Sequence, residues 1–130
     1  MIGLDTGAII DIMKENNKLK NILEKQDEPL ASTIVNYQEL VFGLDFNKRE
    51  HKDEEKYYDE LFENIFLLNL TKDSAKKASR LFKELQRGGK EIGRFDCMIA
   101  GILMQNKVSK IITKNAKHFE RIKGIEVISY

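Results

Sequence analysis

Residues 1–11, MIGLDTGAIID, decide how the chain begins to fold. The apolar run MIGL is typical of a short buried strand, and it ends at an acid, Asp5. The pattern TGAIIDIM that follows has the spacing of an amphipathic helix. Asp5 therefore lies at a strand-to-helix junction, where a carboxylate either caps the helix or belongs to a functional site.

The same alternation of short apolar runs and longer amphipathic ones continues along the chain. It predicts strands at residues 2–4, 30–32, 65–70, 109–113 and 125–129. It predicts helices at residues 7–15, 19–25, 34–46, 52–64, 95–106 and 116–122, and one more from the N-cap Thr71 to the pair Gly88 and Gly89. Because the strand runs are apolar without alternation, we expect an α/β fold of three layers, with a central parallel sheet flanked by helices.

Three acids with apolar neighbours are candidates for a functional site. Asp5 follows the first strand, Glu39 lies in STIVNYQELVFGL (residues 32–44), and Asp96 lies in GRFDCMIAGILM (residues 93–104). Ligands of parallel sheets bind outside the carboxyl ends of the strands, where the strand order reverses. Asp5 and Asp96 have an alternative interpretation as helix caps. Glu39 is expected in the middle of its helix, where its alternative interpretation is a polar stripe, with Asn36 and Gly43, that faces solvent.

A carboxylate at the edge of a core needs a partner, because burying it alone costs several kcal/mol. The partner is a base, backbone amides or a metal ion. Arg94 precedes Asp96 by two residues, and no cationic residue flanks Asp5 or Glu39. A divalent cation is therefore one candidate partner, since Mg²⁺ and Mn²⁺ prefer oxygen ligands that need not be close in sequence.

The composition indicates one domain over residues 1–130, with 42% hydrophobic and 33% charged residues. The single cysteine, Cys97, cannot form an internal disulfide, and no signal segment precedes the fold, so we expect a cytoplasmic protein. No apolar run reaches the roughly 20 residues that cross a bilayer. Acids outnumber bases in residues 45–63, and bases outnumber acids in 72–94 and 107–123. The basic second half either holds a polyanion or forms solvated helix faces.

Four segments in order, LDTGAIID, NYQEL, RFDCMIAG and IITKNAKHFERIKGIEVI, carry a family resemblance. Together they resemble the PIN-domain ribonucleases, and most closely the VapC-type toxins of toxin–antitoxin systems. The resemblance covers essentially the whole chain. It implies an acidic pocket at the carboxyl edge of the sheet and Mg²⁺- or Mn²⁺-dependent cleavage of RNA.

The resemblance also assigns roles to residues. It implies Asp5, Glu39 and Asp96 as catalytic acids and metal ligands, with Thr6, Thr113 and Asn115 as supporting polar residues. Many relatives carry a further acid near Asn115 or His118, and neither residue is acidic here. The number of metal ions, one or two, therefore stays open. Asn115 has an equal interpretation as a helix N-cap, and we interpret His118 as a surface residue.

The predicted partners follow from the same resemblance and from the charge pattern. RNA is the expected substrate, and the candidates for binding its phosphates are Arg94, Lys114, Lys117 and Arg121. A small antitoxin and a second copy of the chain in a homodimer are the expected protein partners. The alternative function is a catalytically weak RNA- or protein-binding module on the same scaffold. Aspartyl phosphotransfer fits poorly, because DTGAI lacks a second acid two residues after Asp5.

Overall fold

The computed structural model describes residues Met1–Tyr130 and contains five short strands. These are β1 (Ile2–Leu4), β2 (Leu30–Thr33), β3 (Phe66–Leu68), β4 (Lys110–Thr113) and β5 (Glu126–Ser129). They form one sheet in the order β3-β2-β1-β4-β5, and every neighbouring pair is parallel. The prediction of a parallel sheet is confirmed.

Seven helices connect the strands and cover the sheet. They are α1 (Thr6–Met13), α2 (Asn17–Leu23), α3 (Ile34–Phe42), α4 (Arg49–Asn64), α5 (Lys72–Arg87), α6 (Arg94–Gln105) and α7 (Ala116–Phe119). Thr71 caps α5 through a reciprocal pair of hydrogen bonds with Ser74. The chain leaves α5 through Gly89, whose φ of 67° suits glycine. None of the helices is long and apolar enough to span a membrane.

The hydrophobic core lies on both faces of the sheet, which gives three layers. A cluster of 15 buried residues joins one face to α5 and α6, and a cluster of eight joins the other face to α1, α2, α3 and α4. Ile111 belongs to the first cluster and Ile112 to the second, since successive side chains of a strand point to opposite faces. Burial on both faces explains why the strand sequences are apolar without alternation.

The strand order reverses beside β1. The chain passes from β1 to β2 and β3 on one side, and later returns to pair β4 with the other side of β1. The carboxyl ends of β1 and β4 therefore form the topological switch point of the sheet. Asp5 follows β1, and Thr113 is the last residue of β4. Both residues stand at the edge where a ligand site is expected.

Differences from the predicted elements are confined to their ends. The helix predicted over residues 34–46 ends at Phe42, before Gly43, and the predicted 52–64 helix begins earlier, at Arg49. The apolar pattern extends to Phe46, but Phe42 is 71% exposed and Phe46 is 50% exposed. The apolar sequence pattern at Phe42 and Phe46 therefore does not correspond to a buried helical face. The last predicted helix is also shorter and ends at Phe119.

Candidate functional site

Asp5 caps a helix and also belongs to a polar cluster at the switch point. Its Oδ1 accepts a hydrogen bond from the backbone N–H of Ala8 at 2.8 Å, which caps α1. Its Oδ2 accepts a hydrogen bond from the hydroxyl of Thr113, across the sheet on β4. Asp5 is 8% exposed and Thr113 is fully buried. The interpretation of Asp5 as a helix cap is thus correct, but the cap uses only Oδ1, and Oδ2 faces Thr113.

Glu39 lies in α3 and reaches the same edge through Thr6. The Thr6 hydroxyl donates to Glu39 Oε1 at 2.8 Å and accepts from Asn36 Nδ2 at 3.1 Å. Asn36 is fully buried, and its Oδ1 accepts from Thr33 to complete a capping box at the start of α3. Asn36 was missed as a site residue by sequence reasoning. The visible signal was its position three residues before Glu39, on the same helical face.

Asp96 lies in the first turn of α6, and its neighbour in space is His118. The N-cap of α6 is Gly93, so the interpretation of Asp96 as a cap is wrong. Asp96 Oδ2 lies 2.7 Å from His118 Nδ1. The side chains of Asp96 and His118 are 20% and 41% exposed. His118 is therefore at the surface, as predicted, and it also contacts Asp96, which the sequence did not indicate.

Asn115 connects the two halves of the cluster. Its backbone N–H donates to Thr113 Oγ1 at 2.8 Å, and its Nδ2 lies 2.8 Å from His118 Nδ1. Asn115 stands at the N-cap position of α7 but makes no side-chain cap bond. The predicted cap position is therefore correct, but the side-chain amide faces His118 and does not cap the helix. A continuous chain of contacts runs from Asp5 through Thr113, Asn115 and His118 to Asp96.

The pKa of Asp5 is shifted by its burial, its hydrogen bonds and the neighbouring acids. Burial raises the pKa of Asp5 above its ordinary value, and the negative charges of Asp96 and Glu39 raise it further. Hydrogen bonds from Thr113 and Ala8 oppose the rise. None of the three acids forms an ion pair with a lysine or arginine. At the same time, no three Asp, Glu, His or Cys side chains stand close enough to hold one ion as they are placed.

Three of the four proposed phosphate-binding residues are engaged elsewhere. The Arg94 guanidinium lies over the Phe82 ring at 5.6 Å, and Arg121 Nη1 donates to the backbone oxygen of Glu91 at 2.9 Å. Lys114 forms an ion pair with Asp11, so Asp11 already neutralises the charge that was predicted to bind RNA. Lys117 lies in α7, the helix that carries His118, and it is exposed and makes no hydrogen bond, ion pair or cation–π contact.

Lys114, Asp11 and Tyr130 form a partly buried network that fixes the segment after β4. Lys114 Nζ lies 2.5 Å from Asp11 Oδ2, and the Tyr130 hydroxyl donates to the same oxygen at 2.7 Å. Burial favours a higher pKa for Asp11, but these hydrogen bonds and the charge of Lys114 hold its pKa below the ordinary value. The hydrogen bond to Asp11 adds to burial in raising the pKa of Tyr130. The network ties α1 to the residue between Thr113 and Asn115.

We expect Asp11→Asn to lower the free energy of unfolding by about 1 kcal/mol at pH 7, because a charge-assisted hydrogen bond is lost. A lowered pKa means that the stabilisation is present above the ordinary Asp pKa and disappears as pH falls through the folded-state value. Urea unfolding of both proteins at pH 7 and at pH 3 measures this. A difference of equal size at both pH values would contradict the prediction.

These observations define an α/β protein with an acidic site at the switch point of a parallel sheet. The family model described as "PIN domain" matches residues 2–125, and the chain belongs to this family. No curated protein sequence matches the chain significantly.

Solved structures with the same fold align over nearly the whole chain. VapBC2 from Rickettsia felis, bound to a DNA fragment from its promoter, matches with a TM-score of 0.84 and 22% identity, covering 100% of this chain and 99% of that chain. VapBC-1 from nontypeable Haemophilus influenzae matches at 0.82 and 25%, covering 99% and 98%. A toxin–antitoxin complex from Klebsiella pneumoniae matches at 0.77 and 20%, covering 97% and 96%. The PIN-like α/β fold is therefore confirmed.

Proposed function

We propose that this chain is a Mg²⁺- or Mn²⁺-dependent endoribonuclease that hydrolyses RNA phosphodiester bonds. The observation that carries the proposal is the placement of Asp5, which is buried at the switch point and has a pKa raised by that burial and, to a smaller extent, by the charges of Asp96 and Glu39. No lysine or arginine neutralises these acids. A divalent cation would supply positive charge that offsets the mutual repulsion of these acids.

The donor set fits a hard divalent ion in its chemistry, since it consists of carboxylate oxygens with hydroxyl groups behind them. Asp5, Glu39 and Asp96 would hold the ion, after movements of the partly exposed Asp96 and Glu39 that bring the carboxylates together. When bound, the ion would polarise a phosphoryl oxygen and lower the pKa of a water molecule. Thr113 and the Ala8 N–H orient Asp5, and Thr6 orients Glu39.

RNA affinity is proposed to depend on Lys117 more than on the other basic candidates. We expect Lys117→Ala to weaken RNA binding several-fold and to reduce the salt slope of log K by about 1, because one phosphate contact is lost. Lys107→Ala is the matched control, since Lys107 is exposed where the chain enters β4, at the opposite edge of the sheet. Filter binding over a series of salt concentrations measures both variants. An equal effect of the two substitutions would contradict a specific role for Lys117.

The toxin of a toxin–antitoxin pair is the biological role that we propose. The support is the fold shared with chains of toxin–antitoxin complexes, at near-complete coverage of both chains. The proposal includes a small antitoxin as the protein partner, a homodimer as the assembly and the cytoplasm as the site of action. Co-expression with a candidate antitoxin, followed by purification of a complex that no longer cleaves RNA, tests the partner.

The catalytic proposal is tested with purified protein and a mixed-sequence RNA. We expect cleavage with Mg²⁺ or Mn²⁺, none with EDTA, and products with 5′-phosphate and 3′-hydroxyl ends. Glu39→Gln should reduce the rate at least about 100-fold, because it removes one charge from the metal-binding cluster. Glu84→Gln, on the exposed surface of α5, is the matched control and should leave the rate unchanged. RNA binding without cleavage at any metal concentration would favour the alternative, a catalytically weak binding module.

A further inference from the structure

Helix α5 carries a row of positive charges that no acid of the chain neutralises. Its bases recur at intervals of four, four, three and four residues, which places them on one side of the helix. They are Lys72, Lys76, Arg80, Lys83 and Arg87, and all of these side chains are exposed. None of them forms an ion pair, although α5 also contains Asp73 and Glu84. We call these bases the basic stripe, which is about 22 Å long at a rise of about 1.5 Å per residue.

An apolar groove lies beside the basic stripe, between α5 and the first turn of α6. Its volume is about 400 Å³, and its apolar lining includes Leu70, Phe82 and Met98. Lys83 and Arg94 also line the groove, and their charged groups lie 6.0 and 5.6 Å from the centroid of the Phe82 ring. No acidic side chain lines it. A flat aromatic group that enters the groove therefore meets an aromatic ring with two cations beside it.

We infer that the basic stripe and the groove together bind a single strand of the RNA substrate, outside the catalytic cluster. The phosphates lie along the basic stripe, and an unpaired base enters the groove and stacks on Phe82 or Arg94. Proteins that bind single strands combine a row of cations with aromatic and arginine surfaces for stacking in this way. The inference rests on the proposed function, and it assigns the basic segment of residues 72–94 to binding a polyanion.

The shape of this surface favours RNA over an acidic protein as the partner. The charge extends along the whole of α5, whereas the groove is short and exposes only a few apolar side chains. A stable protein interface uses roughly 20 to 30 residues on each side, with an apolar centre. A long row of like charges beside one small groove instead matches a polymer with a charge on every unit and flat rings attached to it.

The groove adjoins the proposed catalytic cluster across α6. Arg94 lines the groove, whereas Asp96 lies about 200° further around the helix and contacts His118. About one helix diameter, roughly 10 Å, therefore separates the groove from Asp96. A strand held on the basic stripe stays close to the carboxylates without touching them. Loss of the stripe should therefore raise the KM for RNA cleavage more than it lowers kcat.

Binding to the basic stripe is measured in EDTA, where the proposed cleavage does not occur, by fluorescence anisotropy of a labelled single-stranded RNA of about 10 nucleotides. We expect Lys76→Gln combined with Arg80→Gln to weaken binding at least about 5-fold. The salt slope of log K should fall by about 1.4, because each phosphate contact with a single strand contributes about 0.7. The matched control is Lys18→Gln combined with Lys25→Gln, which removes the same charge from exposed, unpaired lysines in and after α2, on the other face of the sheet. The control should change binding less than about 2-fold.

Phe82→Leu tests the groove separately from the charge. Leucine keeps apolar packing against the core but removes the ring, so single-stranded RNA should bind at least about 5-fold more weakly with an unchanged salt slope. Duplex RNA of the same length should bind the variant and the wild type equally, because its bases are already stacked. Phe42→Leu, in α3, is the matched control, since Phe42 is 71% exposed. Circular dichroism verifies folding, and the double variant of the exposed Lys76 and Arg80 decides the matter if Phe82→Leu does not fold.

The outcomes separate this inference from the proposed function. Unchanged RNA affinity in the folded double variant overturns the RNA-binding surface, and metal-dependent cleavage that requires Asp5 then leaves the ribonuclease intact. Polyglutamate that displaces the labelled RNA as effectively as unlabelled RNA does would assign the basic stripe to an acidic protein and also overturn the inference. RNA binding that both sets of variants weaken as expected, without cleavage at any metal concentration, supports the surface and contradicts the proposed ribonuclease.

Discussion

Asp5→Asn is expected to abolish Mg²⁺- or Mn²⁺-dependent RNA cleavage, with a loss of at least about 1,000-fold, and to raise the stability of the metal-free protein. Both effects have one cause, the charge of Asp5. The substitution removes a charged ligand of the proposed ion. It also removes a buried negative charge that Asp96 and Glu39 repel. Asparagine keeps the cap of α1, because its amide oxygen can accept from the Ala8 N–H as the carboxylate does.

The sign of the stability effect follows from the raised pKa of Asp5. A carboxyl group with a higher pKa in the folded protein binds its proton more tightly there than in the unfolded chain. Its contribution to stability is therefore greatest at acidic pH and falls as pH rises from the ordinary Asp pKa through the folded-state value. The uncharged asparagine of the variant has no such dependence. At pH 7 in EDTA, we expect the variant to be more stable by about 1 kcal/mol, or a few degrees in Tm.

Calorimetry in EDTA from pH 4 to pH 8 measures this difference, and Asp27→Asn is the matched control. Asp27 is exposed and forms no ion pair in the loop before β2, at the opposite edge of the sheet. Added Mn²⁺ should stabilise the wild type and not Asp5→Asn, since binding to the folded state alone raises stability. Unchanged cleavage by Asp5→Asn would reduce Asp5 to a helix cap, and a less stable variant would contradict the repulsion of Asp5 by Asp96 and Glu39.

The fold could be predicted because its signals are local. The inner strands β1, β2 and β4 are buried on both faces, whereas the edge strands β3 and β5 are partly exposed. Each inner strand therefore lacks a polar face, and the helices between strands carry amphipathic patterns. Asp5 was predicted for a similar reason, since the end of a strand in a parallel sheet also marks the edge where ligands bind. Glu39 does not follow a strand, and it could be predicted only because a glutamate is unusual among the apolar residues of its helix.

The contacts of the site could not be predicted, because they join positions far apart in the chain. His118 meets Asp96 across 22 residues, and Tyr130 meets Asp11 across 119. The type of residue gives no guide to these pairs, since a histidine or lysine in a short charged helix usually faces solvent. Lys114 and Lys117 are close in sequence, yet one pairs with a buried acid and the other stays free. Lys114 and Lys117 differ because α1, which carries Asp11, packs against the end of β4 next to Lys114.

The cap alternatives for Asp5, Asp96 and Asn115 had different outcomes for a physical reason. A cap requires extended backbone at the residue before the first helical turn. Asp5 has that conformation, with φ −81° and ψ 175°. Asp96 lies inside the first turn of α6, where its side chain is free to meet His118. Sequence pattern locates a helix end only within one or two residues, so it could not distinguish an N-cap from a residue in the first turn, such as Asp96.

Gly101→Ala is expected to be the most destabilising small substitution in the chain. A Cβ at Gly101, on α6, would lie 2.8 Å from the backbone oxygen of Ser74 and 2.9 Å from both N and Cβ of Ala78, on α5. Carbon atoms in contact are normally about 3.5–4.0 Å from their neighbours. Two of the three obstructing atoms belong to backbone, so no side-chain rotation relieves the clash, and α5 and α6 must separate within the larger core.

We expect the loss to be about 3 kcal/mol, or about 10 °C in Tm, which exceeds the gain of about 1 kcal/mol that alanine brings to a helix interior. Gly88→Ala is the matched control, because its Cβ would meet no atom closer than 3.5 Å and its backbone φ of −82° suits alanine. Urea unfolding and calorimetry measure both variants. Since α6 also carries Asp96, its displacement should weaken Mn²⁺ binding by Gly101→Ala as well. Equal stability of the two variants would show that α5 and α6 can separate at little cost, and that their close contact does not fix Asp96.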